Sequence, residues 1–152
     1  MSNSQPIIYG SFESVRLPEF SAGSYIAKVD TGAYSGAIHC AFLRERTRNG
    51  NKVLHFRPLG LGKNYATKKY SKKYVRSSNG HRVKRYVIKT TMEIRGESYD
   101  VSIGLSDRQD MQYEILIGRK FLREHGILVD VRENSDLDKD LDKTLNLDSD
   151  NG

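Results

Sequence analysis

We predict an all-β domain with one short helix from three features of the sequence. Its apolar segments are short, rich in β-branched residues and separated by turn residues, which is typical of strands. The dipeptide Asn79-Gly80, between two strand-like segments, is a strong signal for a hairpin turn. A single segment, 119–125, has the pattern of a helix, because Gly126 follows basic residues at the position where helices commonly end.

Each predicted element ends at a recognisable boundary. Residues 24–29 alternate between two faces and lead directly into Asp30. The apolar run 113–117 ends at Gly118, directly before the predicted helix. A second tight turn is expected at 95–97. The complete set of predicted strands is 24–29, 52–56, 74–76, 82–94, 98–105, 113–117 and 127–131.

Length and composition exclude several classes of protein. The 152 residues, 37% of them hydrophobic, predict one domain with a modest core. No apolar run reaches the ~18 residues of a membrane span, and the first residues lack the pattern of a signal peptide. The single cysteine, Cys40, excludes an intramolecular disulfide. The motifs of zinc fingers, zincins and P-loop hydrolases are also missing. Because a single cysteine without an export signal points to a reducing compartment, we expect a cytoplasmic protein without membrane contact.

Positive charge is concentrated in the middle of the chain. The formal net charge is +6, but residues 44–95 contain 16 Lys or Arg and two Glu, a local charge of +14. Clustered cations with interleaved tyrosines are typical of nucleic-acid binding. The same charge would attract an acidic polypeptide, or it would only keep the surface hydrated. Composition leaves these three interpretations open.

Negative charge is concentrated at the other end of the sequence. Residues 133–152 contain seven acidic side chains, two lysines and few apolar residues. Such a segment buries too little apolar area to offset the entropy lost on ordering it. The sequence therefore predicts a domain at 1–132, followed by an acidic, disordered tail at 133–152.

The segment with the clearest chemical meaning is Asp30-Thr31-Gly32-Ala33. An apolar strand precedes the aspartate, a hydroxyl side chain follows it, and Gly32 allows another backbone to approach closely. Farther along the chain, a second apolar strand ends at Gly118 and leads into the predicted helix. A carboxylate presented in a turn after a buried strand is a candidate for acid–base catalysis.

Several segments occur in an order and spacing typical of one protein family. They are 17–20, 27–33, 35–39, 75–80, 105–108, Met111, Tyr113 and 115–119. On these segments the chain resembles the bacterial retropepsin-like aspartic peptidases, often labelled ATP-dependent zinc proteases, that are associated with ATP-grasp glutamate ligases of the RimK type. Three features depart from the family pattern: Tyr34 stands where Arg or Lys is common, Glu114 stands where Pro is common, and the lysine-rich insert 61–73 is additional.

The resemblance implies a closed, retropepsin-like β-barrel that acts as a homodimer. Its catalytic loop would be Asp30, Thr31 and Gly32. Peptide hydrolysis by carboxylates needs two of them sharing one proton, because one activates a water while the other polarises the scissile carbonyl. The chain supplies one Asp-Thr-Gly, so each subunit would contribute Asp30. The family also implies that Thr31 forms a hydrogen bond across the twofold axis.

The resemblance further indicates which residues contact the substrate and what that substrate is. Ala33 and Tyr34 would flank the catalytic loop, and a hairpin would act as a flap that covers the substrate and excludes water. The predicted flap consists of Ser77, Ser78, Asn79 and Gly80. Because the family accompanies glutamate ligases, the implied substrate is a glutamate-tailed or otherwise acidic protein end, which the basic region would attract.

The alternative function is a non-catalytic module of the same fold that binds acidic peptide or nucleic acid through residues 44–95. Neither a cofactor nor a metal is predicted for either function, because Cys40 and the four histidines lack the spacing of metal ligands. Cys40 also lacks the sequence signature of a catalytic nucleophile.

Overall fold

The computed structural model describes residues 5–76, 79–109 and 111–140. Within these ranges the chain forms eleven β-strands, one α-helix and one 3₁₀ helix. The strands are β1 (Ile7–Tyr9), β2 (Phe12–Arg16), β3 (Ser24–Val29), β4 (Ala37–Arg48), β5 (Asn51–Pro58), β6 (Tyr65–Thr67), β7 (Ser71–Arg76), β8 (Arg82–Ile94), β9 (Glu97–Ser106), β10 (Ile115–Ile117) and β11 (Ile127–Val129). The α-helix, α1, comprises Arg119–Glu124, and the 3₁₀ helix comprises Ser135–Leu137.

Six strands close into a barrel in the order β10-β3-β2-β8-β9-β4. The barrel closes because β10 pairs with β3 on one side and with β4 on the other. Strands β5 and β6 continue the sheet from β4, and β7 pairs with β8. Strands β1 and β11 form a separate parallel pair. The predicted fold class, an all-β closed barrel with one short α-helix, is confirmed.

The described residues include one predicted hairpin in full and the paired strands of the other. Arg95 and Gly96 join β8 to β9 with φ angles of +52° and +80°, which are the positive values that a two-residue type I′ turn requires. Strand β7 pairs with β8 up to Arg76 and Arg82. The tip of this second hairpin includes Gly80, at a φ of +84°, while Ser77 and Ser78 lie outside the described residues.

The elements that follow β9 match the sequence pattern with small shifts. Helix α1 ends one residue before its predicted end, and Gly126 follows it at a φ of +62°, as a C′ glycine does. Strand β10 begins two residues later than predicted. The reason is that Tyr113 lies in the preceding loop, where its ring packs 5.0 Å from the ring of Phe12.

Strand β4 is the longest element that the sequence analysis missed. Its second half carries Arg44, Glu45 and Arg46, so it lacks the apolar alternation that identifies a half-buried strand. Pairing with β5 holds it instead, in a register that runs from Arg48 opposite Asn51 back to the barrel. A register shift between Cys40 and Phe42 marks a bulge where β4 leaves the barrel.

Part of the lysine-rich insert 61–73 is packed rather than exposed. It contains β6 and the start of β7. The ring of Tyr65 lies 4.9 Å from the ring of Phe20 and 5.8 Å from that of Phe56. Aromatic packing of this kind anchors the insert to the barrel.

The barrel interior is filled by aliphatic side chains from every strand that forms it. Cys40 is fully buried among them. Burial, and then the negative charge of Asp107, raises the pKa of the Cys40 thiol to about 12. The thiolate, which is the nucleophilic form, is therefore not populated at neutral pH, and Cys40 is a core residue.

Residues 133–140, which the sequence assigns to the tail, contact the barrel. The side-chain amide of Asn134 donates a hydrogen bond of 2.8 Å to a main-chain carbonyl of β2. The main-chain N–H of Lys139 donates to the hydroxyl of Tyr113 over 2.8 Å. These bonds extend the packed region beyond the predicted boundary at 132, and residues 141–152 of the predicted tail lie outside the described residues.

Glu13 on β2 joins three parts of the chain and is only 3% exposed. Arg95 donates two hydrogen bonds of 2.8 Å to its carboxylate. The N–H of Gly10 and the amide of Asn134 donate to Oε2 over 2.7 and 3.1 Å. Four donors therefore satisfy a buried carboxylate, and they connect β2, the β8–β9 turn and the segment 133–140.

Replacing Glu13 by Gln is expected to lower the free energy of unfolding by about 2 kcal/mol. The amide carries no negative charge, and its NH₂ group would face the N–H donors that the carboxylate oxygen accepts. Urea denaturation measures the change. Glu97→Gln, at the exposed start of β9, is the matched control and should change stability by less than about 0.5 kcal/mol. Equal stability of Glu13→Gln and the wild type would contradict this assignment.

Candidate active site

The candidate site lies where two parallel strands end side by side. Strands β3 and β10 pair in parallel, with Val29 opposite Ile117. Asp30 and Gly118 therefore leave the barrel at the same edge. The N–H of Asp30 donates a hydrogen bond of 2.8 Å to the carbonyl of Ile117, which ties the start of the Asp30 loop to β10.

The Asp30 loop is a compact turn that presents its carboxylate. The N–H of Gly32 donates to Asp30 Oδ1 over 3.0 Å, and the N–H of Ala33 donates to the Asp30 carbonyl over 3.2 Å. The Asp30 side chain is half-buried, whereas Thr31 and Gly32 are exposed. The geometry therefore fixes the carboxylate by a main-chain donor while the loop tip stays accessible.

Helix α1 begins against this loop. The N–H of Arg119 donates to the Ala33 carbonyl over 2.8 Å, and the N–H of Lys120 donates to the Tyr34 carbonyl over 3.0 Å. A Cβ atom on Gly118 would lie 2.6 Å from the carbonyl carbon of Ser35 and 2.7 Å from the Tyr34 oxygen. Glycine at 118 is therefore required by close backbone approach.

Arg119 also holds the loop through its side chain, a role that the sequence analysis missed. Its Nη1 donates to the carbonyls of Gly32 and Thr31 over 3.0 and 3.4 Å. Its guanidinium also lies 5.4 Å from the ring centroid of Tyr34, within the range of a cation–π contact. The sequence shows that Arg119 directly follows Gly118. It does not reveal that the Arg119 side chain contacts the Asp30 loop.

If the site cleaves peptides, as the family resemblance implies, replacing Arg119 by Lys should reduce the efficiency of cleavage about tenfold, because an ammonium does not reproduce the guanidinium contacts to two carbonyls and a ring. Steady-state peptide cleavage measures this effect. Arg123→Lys, an exposed position of the same helix, is the control and should leave the efficiency unchanged. Wild-type efficiency in Arg119→Lys would show that the loop does not depend on these contacts.

An open cleft of about 390 Å³ adjoins the loop. Among the described residues that line it, Asp30 is the single carboxylate, and Lys28, Arg85 and Arg108 are cations. Burial, and then the charge of Arg108, lowers the pKa of Arg85 from its ordinary value. Arg85 nevertheless stays charged near neutral pH. The sequence does not reveal that these three cations lie in one cleft, because they come from three separate segments of the chain.

The structure brings only part of the predicted substrate-contact set to this cleft. Ala33 lines it beside Asp30. Tyr34 is 53% exposed and contacts Arg119, and it is not among the described residues that line the cleft. Asn79 and Gly80 are exposed at the tip of the β7–β8 hairpin, and they too are not among the described residues that line the cleft.

The described ranges contain neither a metal-binding cluster nor a membrane-spanning helix. No group of three or more His, Cys, Asp or Glu residues there lies close enough together to hold a metal ion. His39 is close to one carboxylate, with its Nδ1 3.6 Å from Glu114 Oε2. None of the helices that the structure describes is long and apolar enough to cross a membrane.

Comparison with solved structures places the fold among known proteins. The crystal structure of Lpg0085, a protein of unknown function from Legionella pneumophila, superimposes with a TM-score of 0.61. The two chains are 25% identical, and the match covers 84% of this chain and 95% of the other.

Curated relatives are longer proteins. The chain is 31% identical over 140 residues to a protein from Shewanella pealeana named probable alpha-L-glutamate ligase. It is 27% identical over 127 residues to a protein of the same name from Desulfotalea psychrophila. These matches cover 88% and 80% of this chain but only 30% and 27% of the relatives. The chain thus spans less than a third of their length.

A family model supplies the classification. Residues 8–139 match the model described as RimB-like, retropepsin-like aspartic endopeptidase RimB. The match includes the Asp30 loop, β10 and α1, and it continues into the segment 133–140 that packs on the barrel. The chain belongs to the RimB-like family of retropepsin-like aspartic endopeptidases.

Proposed function

We propose that this protein is an endopeptidase in which Asp30 from two copies of the chain forms the catalytic pair. The observation that carries the proposal is the Asp30 loop: Asp30 is half-buried, its carboxylate accepts a hydrogen bond from the Gly32 N–H, and the residue lines an open cleft. Main-chain bonds from β10 and α1 hold this loop rigidly, as a catalytic group requires.

A second copy is needed because acid–base hydrolysis by carboxylates uses two of them. Asp30 is the single carboxylate among the described residues of the cleft. The exposed tip at Thr31 and Gly32 is where a second loop would approach around a twofold axis. In this arrangement Thr31 would form a hydrogen bond across the axis.

The proposed reaction uses a shared proton. The ionised Asp30 of one copy takes a proton from water as the water oxygen attacks the scissile carbonyl carbon, while the protonated Asp30 of the other copy gives its proton to the carbonyl oxygen. The resulting tetrahedral diol gives a hydroxyl proton to the ionised Asp30 of the second copy, while the Asp30 of the first copy passes the proton that it took from water to the amide nitrogen. The C–N bond then breaks, which leaves a carboxylic acid and an amine.

We further propose an acidic polypeptide as the substrate. The side chains of Lys28, Arg85 and Arg108 line the cleft, so glutamate side chains on either side of the scissile bond would meet opposite charge. Relatives named alpha-L-glutamate ligase contain a segment similar to this chain. A ligase of that kind makes glutamate-containing ends, and this endopeptidase would cleave them.

The remaining parts of the proposal concern the surroundings of the site. The β7–β8 hairpin, including Asn79 and Gly80, would move over bound substrate as a flap, and Tyr34 would contact substrate at the entrance. We propose that the homodimer acts in the cytosol, where its thiol remains reduced.

Mass-spectrometric cleavage mapping tests the proposal. Wild type and Asp30→Asn are incubated with two matched peptides, one ending in consecutive glutamates and one with glutamines in their place. We expect wild type to cleave the glutamate peptide about tenfold more efficiently, and Asp30→Asn to cleave neither. No cleavage by folded, dimeric wild type would favour the binding module, and equal cleavage by both proteins would exclude Asp30 as the catalyst.

A further inference from the structure

A row of arginines follows β4 away from the Asp30 cleft. We call Arg44, Arg46 and Arg48 the arginine strip. Alternate residues of a strand project to the same side and are about 6.6 Å apart, so these side chains share one face. All three are exposed. The intervening Glu45 points to the opposite face, where it accepts hydrogen bonds from Lys72 and Tyr70.

The face that carries the strip is free of negative charge among the described residues. Arg44 stands opposite His55, Arg46 opposite Val53 and Arg48 opposite Asn51, and directly opposed residues share a face. No described carboxylate forms an ion pair with the three arginines. A recess of about 330 Å³ beside Arg48 adds another cation, Lys68, and no acid to this face.

The strip is connected to the candidate active site by the strand itself. Strand β4 begins with Ala37, which lines the Asp30 cleft, and the last of its 12 residues is Arg48. At about 3.3 Å per residue the strand is about 36 Å long. A polypeptide that leaves the cleft in an extended conformation would therefore pass along the strip.

We infer that the arginine strip is a second binding surface, outside the catalytic cleft, for an extended glutamate-rich polypeptide. In an extended chain, side chains on one side repeat every two residues, which is the spacing of the strip itself. Arginine pairs with carboxylates through two parallel hydrogen bonds. The identity of the polypeptide rests on the proposed function, whereas the position of the surface rests on the strip alone.

The aromatic residues of this face favour a polypeptide over single-stranded nucleic acid. Nucleic-acid surfaces of that kind offer aromatic rings on which bases stack. On this face Phe42 is half-buried, and the guanidiniums of Arg44 and Arg57 lie over its ring at 5.6 and 5.7 Å from the centroid. A base that stacked on this ring would have to compete with these two cations.

The test measures binding without catalysis. Full-length Asp30→Asn is titrated into a fluorescein-labelled oligo-L-glutamate of 12 residues, the length of β4, and into an oligouridylate of equal length. One variant adds Arg44→Gln, Arg46→Gln and Arg48→Gln. The matched control adds Lys69→Gln, Lys84→Gln and Lys89→Gln, three lysines that are exposed in the structure and belong to other strands or loops. Circular dichroism confirms that both variants are folded.

We expect the strip variant to bind oligoglutamate about tenfold more weakly and the control to change less than about twofold, because three exposed charge pairs are lost only in the first. Equal weakening by both variants would overturn the inference, since it would mean that binding depends on the total positive charge of the protein and not on the arginine strip. Tighter binding of oligouridylate, lost in the strip variant, would overturn it in favour of a nucleic-acid surface.

A second readout separates this inference from the proposed function. In the active enzyme, the strip variant should raise KM for the long oligoglutamate substrate and leave cleavage of a short glutamate peptide unchanged. If the wild type cleaves nothing but the strip variant still loses oligoglutamate binding, the proposed function fails and the binding surface stands. Cleavage of both substrates with unchanged KM in the strip variant would overturn the surface and leave the peptidase.

Discussion

Asp30→Asn is expected to lower peptide cleavage by at least about 10³-fold, which is within the range that a positioned acid–base group contributes. The amide does not accept the proton of the attacking water, so the first step of the proposed reaction is blocked. It does keep the oxygen that accepts the Gly32 N–H bond of 3.0 Å. The loop should therefore retain its conformation, and the loss should appear in kcat.

The matched control for this prediction is Asp100→Asn. Asp100 is an exposed aspartate on β9, outside the residues that line the Asp30 cleft, and its replacement should leave kcat and KM unchanged. Thermal unfolding of Asp30→Asn should occur within about 2 °C of wild type, because the side chain is half-buried and its main-chain bond is retained. Retention of substantial activity in Asp30→Asn would contradict the proposed chemistry.

Gly118→Ala should disrupt the site without touching a catalytic group. The new methyl group would lie 2.6 Å from the Ser35 carbonyl carbon and 2.9 Å from the Gly36 nitrogen. Both are main-chain atoms, so the segment after the Asp30 loop must move as a unit. We expect the free energy of unfolding to fall by about 2–3 kcal/mol, as for an overpacked core, together with most of the peptidase activity.

Gly23→Ala is the control for the effect of adding a methyl group. Its nearest neighbour would be the Ser21 hydroxyl at 3.5 Å, an ordinary contact, so stability should change by less than about 0.5 kcal/mol. Urea denaturation and peptide cleavage measure both variants. If Gly118→Ala were as stable and active as Gly23→Ala, the close approach of β10 to the Asp30 loop would not be essential to the fold.

Local sequence patterns were sufficient to predict the elements that present Asp30. Alternation identified β3, and the apolar run before Gly118 identified β10, because each pattern lies within a few residues. That the two strands are parallel neighbours is not visible in either pattern. It emerges only in the structure, because it is a contact between two segments that lie far apart in the chain.

The features that the sequence did not reveal depend on contacts between distant residues. Strand β4 lacks apolar alternation in its second half and is held by its pairing with β5, so periodicity failed there. Lys28, Arg85 and Arg108 line one cleft although they lie on separate segments. Glu13 and Asn134 are 121 positions apart in the chain, and their contact is what packs the start of the predicted tail.

Mixing subunits tests whether two chains share one catalytic pair. Asp30→Asn is equilibrated with wild type at constant total concentration, and cleavage of the glutamate peptide is followed as the mutant fraction rises. At equal amounts the account predicts about one quarter of the wild-type activity, because random pairing leaves a quarter of the dimers with two copies of Asp30. About one half of the activity would mean that each chain works alone, and it would contradict the shared pair.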